Sequence, residues 1–194
     1  METSRRAMTS SRRADRRFAP VYGREVLKLI TERLELKPLT SQAAAALSEN
    51  QDEASRILGA TFPAEWPRPD LLGILAIRAP SSPEAERFGV WVMIERDSGS
   101  VGGDIGFKGP PDEAGRIEMG YSVVPDRRRR GYAKEAARAL IDWALSQPKV
   151  RVIVAGCHPD NVPSIRTLER VGFHRTGEAD GEIRWRYGSS SDEV

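Results

Sequence analysis

The chain has 194 residues, of which 39% are hydrophobic and 30% charged, which suits one globular domain with a full core. It contains no apolar run long enough to span a membrane, and its arginine-rich start lacks the apolar segment of a secretory signal, so we expect a cytoplasmic protein without membrane contacts. A single cysteine, Cys157, and two histidines exclude a disulfide framework and argue against a metal site, so no metal is expected.

The positive charge is concentrated at the start of the chain. Residues 1–28 carry eight basic and three acidic side chains, a net charge of +5, whereas the whole chain has +2, which leaves −3 for the rest. We expect residues 1–24 to be a disordered basic tail, residues 25–188 to form one domain, and residues 189–194 to be a polar tail. The basic tail could contact nucleic acid, but a solvated extension or a start codon assigned too far upstream is favoured, so nucleic acid is not an expected partner.

The first half of the chain mixes strand and helix patterns. Leu34 and Leu36 alternate with charged residues ahead of Pro38, which predicts a strand over residues 29–39. Thr40-Ser41 and Asp52 are helix-capping residues, and each predicts a helix that follows. The further elements predicted in this half are helices over residues 42–49, 53–58 and 70–77, a loop over 79–86, and a hairpin of strands over 88–95 and 100–107.

The stretch from Ile117 to Leu145 changes character twice. Residues 117–124 alternate apolar and polar side chains like a strand, and the residues after Gly131 repeat apolar positions at helical spacing. Four consecutive arginines, residues 127–130, lie between the two patterns. Because a helix start has unpaired N–H groups and partial positive charge, this junction predicts a phosphate or diphosphate site, although four arginines alone are more often a solvated run.

Two motifs identify a family. The loop matches neither the P-loop nor the Rossmann pattern. Arg128-x-x-Gly131-x-Ala133, between a strand and a helix, resembles the diphosphate loop Q/R-x-x-G-x-G/A of the GNAT superfamily of N-acetyltransferases. Residues 159–173, PDNVPSIRTLERVGF, resemble the second CoA-contacting segment of that family and follow the loop at the expected interval of about thirty residues. The opening strand T-E-R-L-x-L-x-P-L is similar to that of the branch containing the ribosomal-protein alanine N-acetyltransferases.

The elements after the central helix complete an α/β fold with a mixed sheet. Residues 150–156 predict a buried strand, residues 162–171 a helix capped by Asp160 or Asn161, and residues 173–176 and 182–187 a closing strand pair. The resemblance implies the GNAT fold. Its central sheet is mostly antiparallel, is splayed between the fourth and fifth predicted strands (residues 117–124 and 150–156), and carries helices on both faces.

The resemblance also implies acetyl-CoA as cosubstrate. Pantetheine would pair with strand backbone near Ser122 to Val124, and diphosphate oxygens would accept hydrogen bonds from the amides of residues 129–133. Arg129 stands where many members have glycine. The cofactor-binding residues implied in this way are Ser122, Val123, Val124, Arg128, Arg129, Arg130, Gly131, Tyr132, Ala133, Asn161 and Ser164.

Catalytic roles follow from the same resemblance. Family members whose strand reads A-E-x-G-Y, similar to IEMGY here, often place a carboxylate base at the position of Glu118; the alternative is an ordinary outward glutamate. Many members protonate the leaving thiolate with a tyrosine where this chain has Leu168, so Ser164, Tyr121 or solvent must return the proton, and Ser164 is favoured. Cys157 has no plausible base and orienting partner, so we do not expect a covalent acyl-enzyme.

The acceptor side is less specific. Phe62 and Trp66 lie in a proline-rich segment that would wall the acceptor pocket, so they are candidates for substrate contact or for packing against the sheet edge. We therefore expect an acetyl-CoA-dependent N-acetyltransferase that acts on a protein N-terminal α-amine or a small-molecule amine by direct attack in a ternary complex. A homodimer is left open. The alternative is a non-catalytic acyl-CoA sensor or a basic-tailed binding module.

Overall fold

The computed structural model describes residues 27–78 and 80–188. The predicted basic tail and polar C-terminal tail lie outside these residues. The elements before the central loop are β1 (Leu29–Ile30), β2 (Leu34–Pro38), α1 (Ser41–Glu49), α2 (Gln51–Leu58), α3 (Pro69–Ile77), α4 (Pro83–Arg87), β3 (Val90–Glu95), β4 (Val101–Phe107) and β5 (Arg116–Val123). After it come α5 (Tyr132–Leu145), β6 (Val152–Cys157), α6 (Val162–Val171), β7 (Phe173–Ala179) and β8 (Glu182–Tyr187).

The eight strands form one sheet in the order β1-β2-β3-β4-β5-β6-β8-β7. Every neighbouring pair is antiparallel except β5 and β6, which are parallel and are joined by α5. The predicted mixed and mostly antiparallel sheet is therefore confirmed. No helix among the described residues is both long and apolar enough to cross a membrane.

Helices cover both faces of the sheet, as predicted. One face packs against α1, α2 and α3 through a core that includes Val92, Ile94 and Val101; we call it the α3 face. The other packs against α5 and α6 and is called the α5 face. Helix α5 packs on the sheet through one buried stripe. The apolar residues of this stripe recur at helical spacing: Ala136, Ala137, Leu140, Ile141 and Ala144.

The sheet opens between β5 and β6. Their pairing runs only from Arg116 opposite Val152 to Met119 opposite Ala155, whereas β5 stays paired with β4 as far as Val123 opposite Gly103. Beyond Met119, β5 therefore has a strand neighbour on one side only. This is the predicted splay.

Three local predictions in the first half differ from the structure. The single strand expected over residues 29–39 is broken, because the Thr31 hydroxyl bonds both the amide and the carbonyl of Leu34 and closes a turn between β1 and β2. The loop expected over residues 79–86 contains the short helix α4, capped by Ser82 Oγ, which accepts a hydrogen bond from the Ala85 amide. Helix α2 is capped by Asn50 rather than by Asp52.

Candidate active site

The loop between β5 and α5 presents a row of backbone amides. Gly131 is the N-cap of α5 in a left-handed conformation (φ 84°), and Arg129 also has positive φ (61°). The first hydrogen bond of the helix runs from the Glu135 amide to the Gly131 carbonyl. Within the described part of the chain, the amides of residues 129–134 have no protein acceptor, and no side chain caps the helix. The arrangement is an anion site of the kind that a helix start and its dipole create.

Arg33, in the turn between β1 and β2, fixes this loop from behind. Its Nη1 donates to the Arg130 carbonyl at 2.8 Å, and its guanidinium lies 4.9 Å from the centre of the Tyr132 ring. The Glu135 carboxylate accepts hydrogen bonds from Arg33 Nε at 2.8 Å, from the Arg33 amide at 2.8 Å and from Thr31 Oγ1 at 2.6 Å. Because Arg33 takes the carbonyl side of the loop, the amide side stays open to a ligand.

The four arginines of the loop have different environments. Arg127 forms an ion pair with Glu95, with 2.9 Å between Nε and Oε1, and Arg128 Nε donates to the Val123 carbonyl at 3.1 Å. Arg129 and Arg130 are exposed. The run predicted as either an anion site or a solvated surface is therefore divided: two arginines bind the protein itself, and two raise the positive potential beside the open amides.

Tyr132 faces the interior. Its side chain is buried and packs against Gly102, and burial, with the nearby Glu95 carboxylate, raises the pKa of its hydroxyl. Only its backbone amide belongs to the row of open N–H groups. The prediction that Tyr132 contacts the cofactor can therefore apply to its main chain alone.

The open edge of β5 consists of alternate residues. The Val124 amide donates to the Gly102 carbonyl at 3.0 Å and the Glu118 carbonyl accepts from Lys108, so even-numbered positions direct their backbone groups to β4. Tyr121 and Val123 direct theirs toward the splay. A backbone contact to pantetheine therefore suits Val123 better than Ser122 or Val124, and the contacts of all three residues stay predictions.

Two hydroxyl groups meet across the splay on the α5 face. The Tyr121 hydroxyl lies 2.9 Å from Ser164 Oγ and donates to the Ser164 carbonyl at 3.2 Å, so it connects β5 to the first turn of α6. Asn161 caps that turn by accepting from the Ser164 amide at 3.2 Å. Burial raises the pKa of Tyr121 against the opposing effect of its hydrogen bond with Ser164, so the phenol is protonated at neutral pH.

Leu168, at the position where many family members have the acid, and Cys157, which is not expected to be a nucleophile, are both part of the core. Leu168 is 1% exposed. Cys157 is buried at the end of β6, where Trp185 Nε1 donates to its sulfur at 3.2 Å. Within the described ranges, no group of three or more metal-ligating side chains occurs.

A cavity of about 820 Å³ lies on the α3 face, between α3 and strands β3, β4 and β5. Its volume lies in the range of small-molecule sites. Gly120, on β5, is part of its lining, and a Cβ built there would meet nothing within 4 Å. The cavity thus reaches the open strand edge at a position without a side chain.

Asp104 is the buried carboxylate of this cavity, and sequence analysis missed it. The residue is 8% exposed and lies opposite Ser122 in the pairing of β4 with β5. Trp66 Nε1 donates to its Oδ2 at 3.2 Å, and Arg68 Nη2 lies 3.8 Å from its Oδ1. Burial raises the pKa of Asp104 to about 6; Arg68 and the indole oppose this rise, and Asp70 adds to it. The only sequence signal is an acidic residue between the glycines of a buried strand.

The predicted substrate contacts Phe62 and Trp66 stack edge to face, with ring centres 4.8 Å apart. Trp66 is 2% exposed and is not part of the cavity lining, so the packing alternative suits it better, and its contact with an acceptor stays a prediction. Its indole holds Asp104. Phe62, half-buried behind Trp66, does not line the cavity either.

Glu118, the predicted base, also lies on β5. Its carboxylate forms an ion pair with Lys108 Nζ and does not line the cavity. Four residues separate Glu118 from Ser122, which corresponds to about 13 Å along the strand. The structure therefore places Glu118 beside the site and Asp104 directly across from Ser122.

Comparisons with known proteins agree with this geometry. A family model described as an acetyltransferase (GNAT) domain matches residues 33–174. YjdG of Bacillus subtilis, an uncharacterized N-acetyltransferase, is 35% identical over 156 residues, which cover 77% of this chain and 93% of that protein. The chain belongs to the GNAT acetyltransferase family. It is therefore an N-acetyltransferase, and its acetyl donor is acetyl-CoA.

Solved GNAT structures share the fold of this acetyltransferase. The ribosomal-protein-S5-alanine acetyltransferase of Vibrio fischeri has a TM-score of 0.57 at 16% identity, with 86% of this chain and 99% of that chain covered. The microcin C7 self-immunity acetyltransferase MccE, solved with acetyl-CoA and AMP, has a TM-score of 0.54 at 15% identity, with 80% and 92% covered. At these identities the likeness concerns the fold alone.

The tie between Glu135 and the β1–β2 turn should contribute to stability. Burial alone would raise the pKa of Glu135, but the hydrogen bonds from Thr31 and Arg33 outweigh burial and lower it below the ordinary value of 4.5. Glu135→Gln should therefore reduce the free energy of unfolding by about 1–3 kcal/mol at pH 7. Since a lowered pKa stabilises only the ionised form, the difference should shrink as the pH falls below 4.5. Urea unfolding at several pH values measures it, and exposed Glu169→Gln should change stability by less than about 0.5 kcal/mol.

Ionised Asp104, in contrast to Glu135, should lower the stability of the folded protein. Its pKa rises from 3.8 to about 6 on folding, so the folded protein binds more protons in that interval and loses stability as the pH increases through it. Asp104→Asn removes this loss. The variant should be more stable than wild type above pH 6, by on the order of 2–3 kcal/mol, and the gain should disappear toward pH 4. Exposed Asp97→Asn is the control; an equal loss of stability in Asp104→Asn at all pH values would contradict the raised pKa.

Proposed function

We propose that this protein transfers the acetyl group of acetyl-CoA to a primary amine by direct attack in a ternary complex. The observation that carries the proposal is the presence, close together in the chain, of two sets of unpaired backbone groups: the amides of residues 129–134 at the start of α5, and the edge of β5 at Tyr121 and the Val123 amide. One edge suits a diphosphate, and the other suits the amide groups of pantetheine.

In the proposed complex, the diphosphate accepts hydrogen bonds from the amides of residues 129–133. The exposed side chains of Arg129 and Arg130, and the free end of Arg128, supply positive charge around it. Pantetheine continues the sheet from Val123 to Tyr121 and replaces the pairing that β6 gives up after Met119. The thioester then lies near Tyr121, with Ser164 and the cap residue Asn161 on its thiol side.

The amine reaches the thioester from the opposite face. The cavity on the α3 face opens to β5 at Gly120, whereas the two hydroxyl groups of Tyr121 and Ser164 lie on the α5 face. Acceptor and leaving thiol are therefore on different sides of the strand, which is the geometry that direct attack needs. A covalent acyl-enzyme is not required. The only cysteine, Cys157, is buried in the core, where its sulfur accepts a hydrogen bond from Trp185.

Protonation of the thiolate is assigned to the Tyr121–Ser164 pair. Both hydroxyls are within 2.9 Å of each other, and the raised pKa of Tyr121 keeps its proton available. The proton released by the amine goes to a carboxylate on the α3 face, where Glu118 is the candidate from the sequence. The acceptor is a protein N-terminal α-amine or a small-molecule amine. An α-amine has a pKa of about 8 and is deprotonated more readily than a lysine side chain.

A pair of Arg129 variants tests the CoA path. Arg129→Glu reverses the charge beside the open amides, and we expect it to weaken CoA binding about tenfold or more. Arg129→Gly keeps the amide and relieves the positive φ of 61°, so its effect should be at most about threefold. Isothermal titration calorimetry with CoA measures both, and pantetheine, which lacks the diphosphate, should bind both variants equally. Equal CoA affinity in Arg129→Glu and wild type would place the diphosphate elsewhere.

The hydroxyl pair is tested by deletion. Tyr121→Phe should lower kcat for acetyl transfer by about 10- to 100-fold, because the thiolate loses its proton donor, while the affinity for acetyl-CoA changes little. Ser164→Ala should have a similar effect, and the double variant should not be much worse than either single one. Tyr187→Phe, at a half-buried tyrosine of β8, is the matched control. CoA binding without turnover of any amine would instead support a non-catalytic acyl-CoA sensor.

A further inference from the structure

The cavity on the α3 face has an unusual distribution of charge. Its walls are mainly apolar side chains, among them Leu39, Leu71, Ile74, Leu75 and Val90. Two carboxylates belong to its lining, and one of them, Asp70, is exposed and paired with Arg68 at 2.7 Å. Asp104 is the other, and it is buried. The interior of the cavity thus holds one acidic group in an apolar setting.

Asp104 is prepared to receive a hydrogen-bond donor. Trp66 occupies its Oδ2, whereas the one partner found for Oδ1 among residues 27–78 and 80–188 is Arg68 Nη2, at 3.8 Å, beyond hydrogen-bonding distance. A buried carboxylate normally satisfies its oxygens with close partners. The weakly satisfied Oδ1 belongs to a residue that lines the cavity, so a ligand there can supply the missing bond.

The position of Asp104 also fits the reaction. Asp104 lies opposite Ser122, one residue from the Tyr121 edge on which the proposed function places the thioester. Gly120, between Ser122 and Glu118 on the same strand face, leaves the space between cavity and strand edge open. Glu118 lies about 13 Å further along the strand from Ser122 and already pairs with Lys108.

We propose that Asp104 binds the ammonium group of the acceptor and accepts its proton, and that the acceptor is a monoamine carried on an apolar body. This inference rests on the proposed acetyl transfer and specifies its acceptor side. Trp66 is a positioning residue, since its indole orients the carboxylate without reaching the cavity.

The proton and bond changes balance as follows. The bound ammonium gives one proton to the Asp104 carboxylate, which later releases it to water. The neutral amine nitrogen attacks the acetyl carbon, the carbon–sulfur bond breaks, and the second proton leaves the nitrogen. Water takes up that proton, while the Tyr121–Ser164 hydroxyl pair protonates the thiolate and recovers its own proton from water, so the products are the acetylated amine and CoA.

The titration of Asp104 agrees with this role. The charged groups that face it are Arg68 and Asp70, and Trp66 provides the neutral donor; burial dominates and raises the pKa to about 6. A base with such a pKa is ionised at neutral pH and still holds a proton well enough to take one from an ammonium. The value of kcat/KM, which reports the free enzyme, should therefore increase with pH around 6.

The charges around the cavity restrict the acceptor. A second ammonium group would lie against apolar walls or near Lys108 and Arg78, two basic residues of the lining. Burying an unpaired charge or placing it near like charges is unfavourable. A polyamine should therefore bind more weakly than a monoamine whose carbon skeleton covers Leu71 and Ile74.

The experiment compares three amines with acetyl-CoA and measures CoA release. We expect kcat/KM for 2-phenylethylamine and leucinamide to exceed that for spermidine at least tenfold. Asp104→Asn should lower kcat/KM at least 100-fold and remove the increase of kcat/KM around pH 6, while its affinity for CoA stays within threefold of wild type. Exposed Asp97→Asn, the matched control, should keep wild-type activity, whereas Glu118→Gln, which removes the rival base, should lose less activity than Asp104→Asn.

A second variant and a binding measurement complete the test. Gly120→Leu places a side chain in the cavity at a position without positive φ, so it should abolish turnover but retain CoA binding. 2-Phenylethylamine should raise the Tm of the wild type bound to CoA and not that of Asp104→Asn. A larger loss in Glu118→Gln than in Asp104→Asn, a preference for spermidine, or neither turnover nor a Tm shift with any amine would overturn the inference. Absence of CoA binding to the wild type would instead refute the proposed function.

Discussion

Unpaired backbone groups at the junction of β5 and α5 are the constraint on which the structure depends. Along β5, pairing with β6 ends at Met119, and at the start of α5 six consecutive amides, residues 129–134, have no acceptor among the described residues. Such groups are costly if they are buried without partners, so they must face either water or a ligand. Together they offer hydrogen-bonding partners to a long molecule with a diphosphate at one end and amides at the other.

Other contacts fix the positions of the elements on either side of these unpaired backbone groups. Arg33 binds the Arg130 carbonyl and the Glu135 carboxylate, and thereby keeps the loop from turning its carbonyl groups into the anion site. On the other side, the hydrogen bonds between Tyr121 and Ser164 set the distance between β5 and α6. The break between β1 and β2 is explained in the same way, since it places Thr31 and Arg33 next to the start of α5.

The sequence predicted the second half of the fold more accurately than the first. Helix α6 and strand β8 have the predicted bounds, because their periodicity, caps and flanking glycine or proline are all local signals. The turn that interrupts the first strand is closed by Thr31 and Leu34, but its contact with α5 comes from Glu135, about a hundred residues away, and no local pattern records that contact. Helix α4 was missed since its cap, Ser82, lies in a segment of serines and prolines that is typical of loops.

The candidate site was predictable where backbone chemistry is encoded by motifs. The arginine–glycine loop and the Asn161–Ser164 segment carry such motifs, and the structure places them on the two walls of the splay. The acceptor side is built from side chains on β4, β5 and α3 that no motif connects. Trp66 was predicted as a contact from its aromatic character, but burial gives it the role of a support for Asp104.

Asp104 shows how the two sides of the reaction are related energetically. A carboxylate buried beside apolar walls costs stability when it ionises, and Trp66 and Arg68 only partly offset that cost. An ammonium group placed against Oδ1 would remove much of the remaining penalty, so the acceptor would stabilise the charged form that then takes its proton. The same burial that weakens the folded protein above pH 6 thus provides the driving force for binding a cation, which is the exchange of stability for function expected at a reactive site.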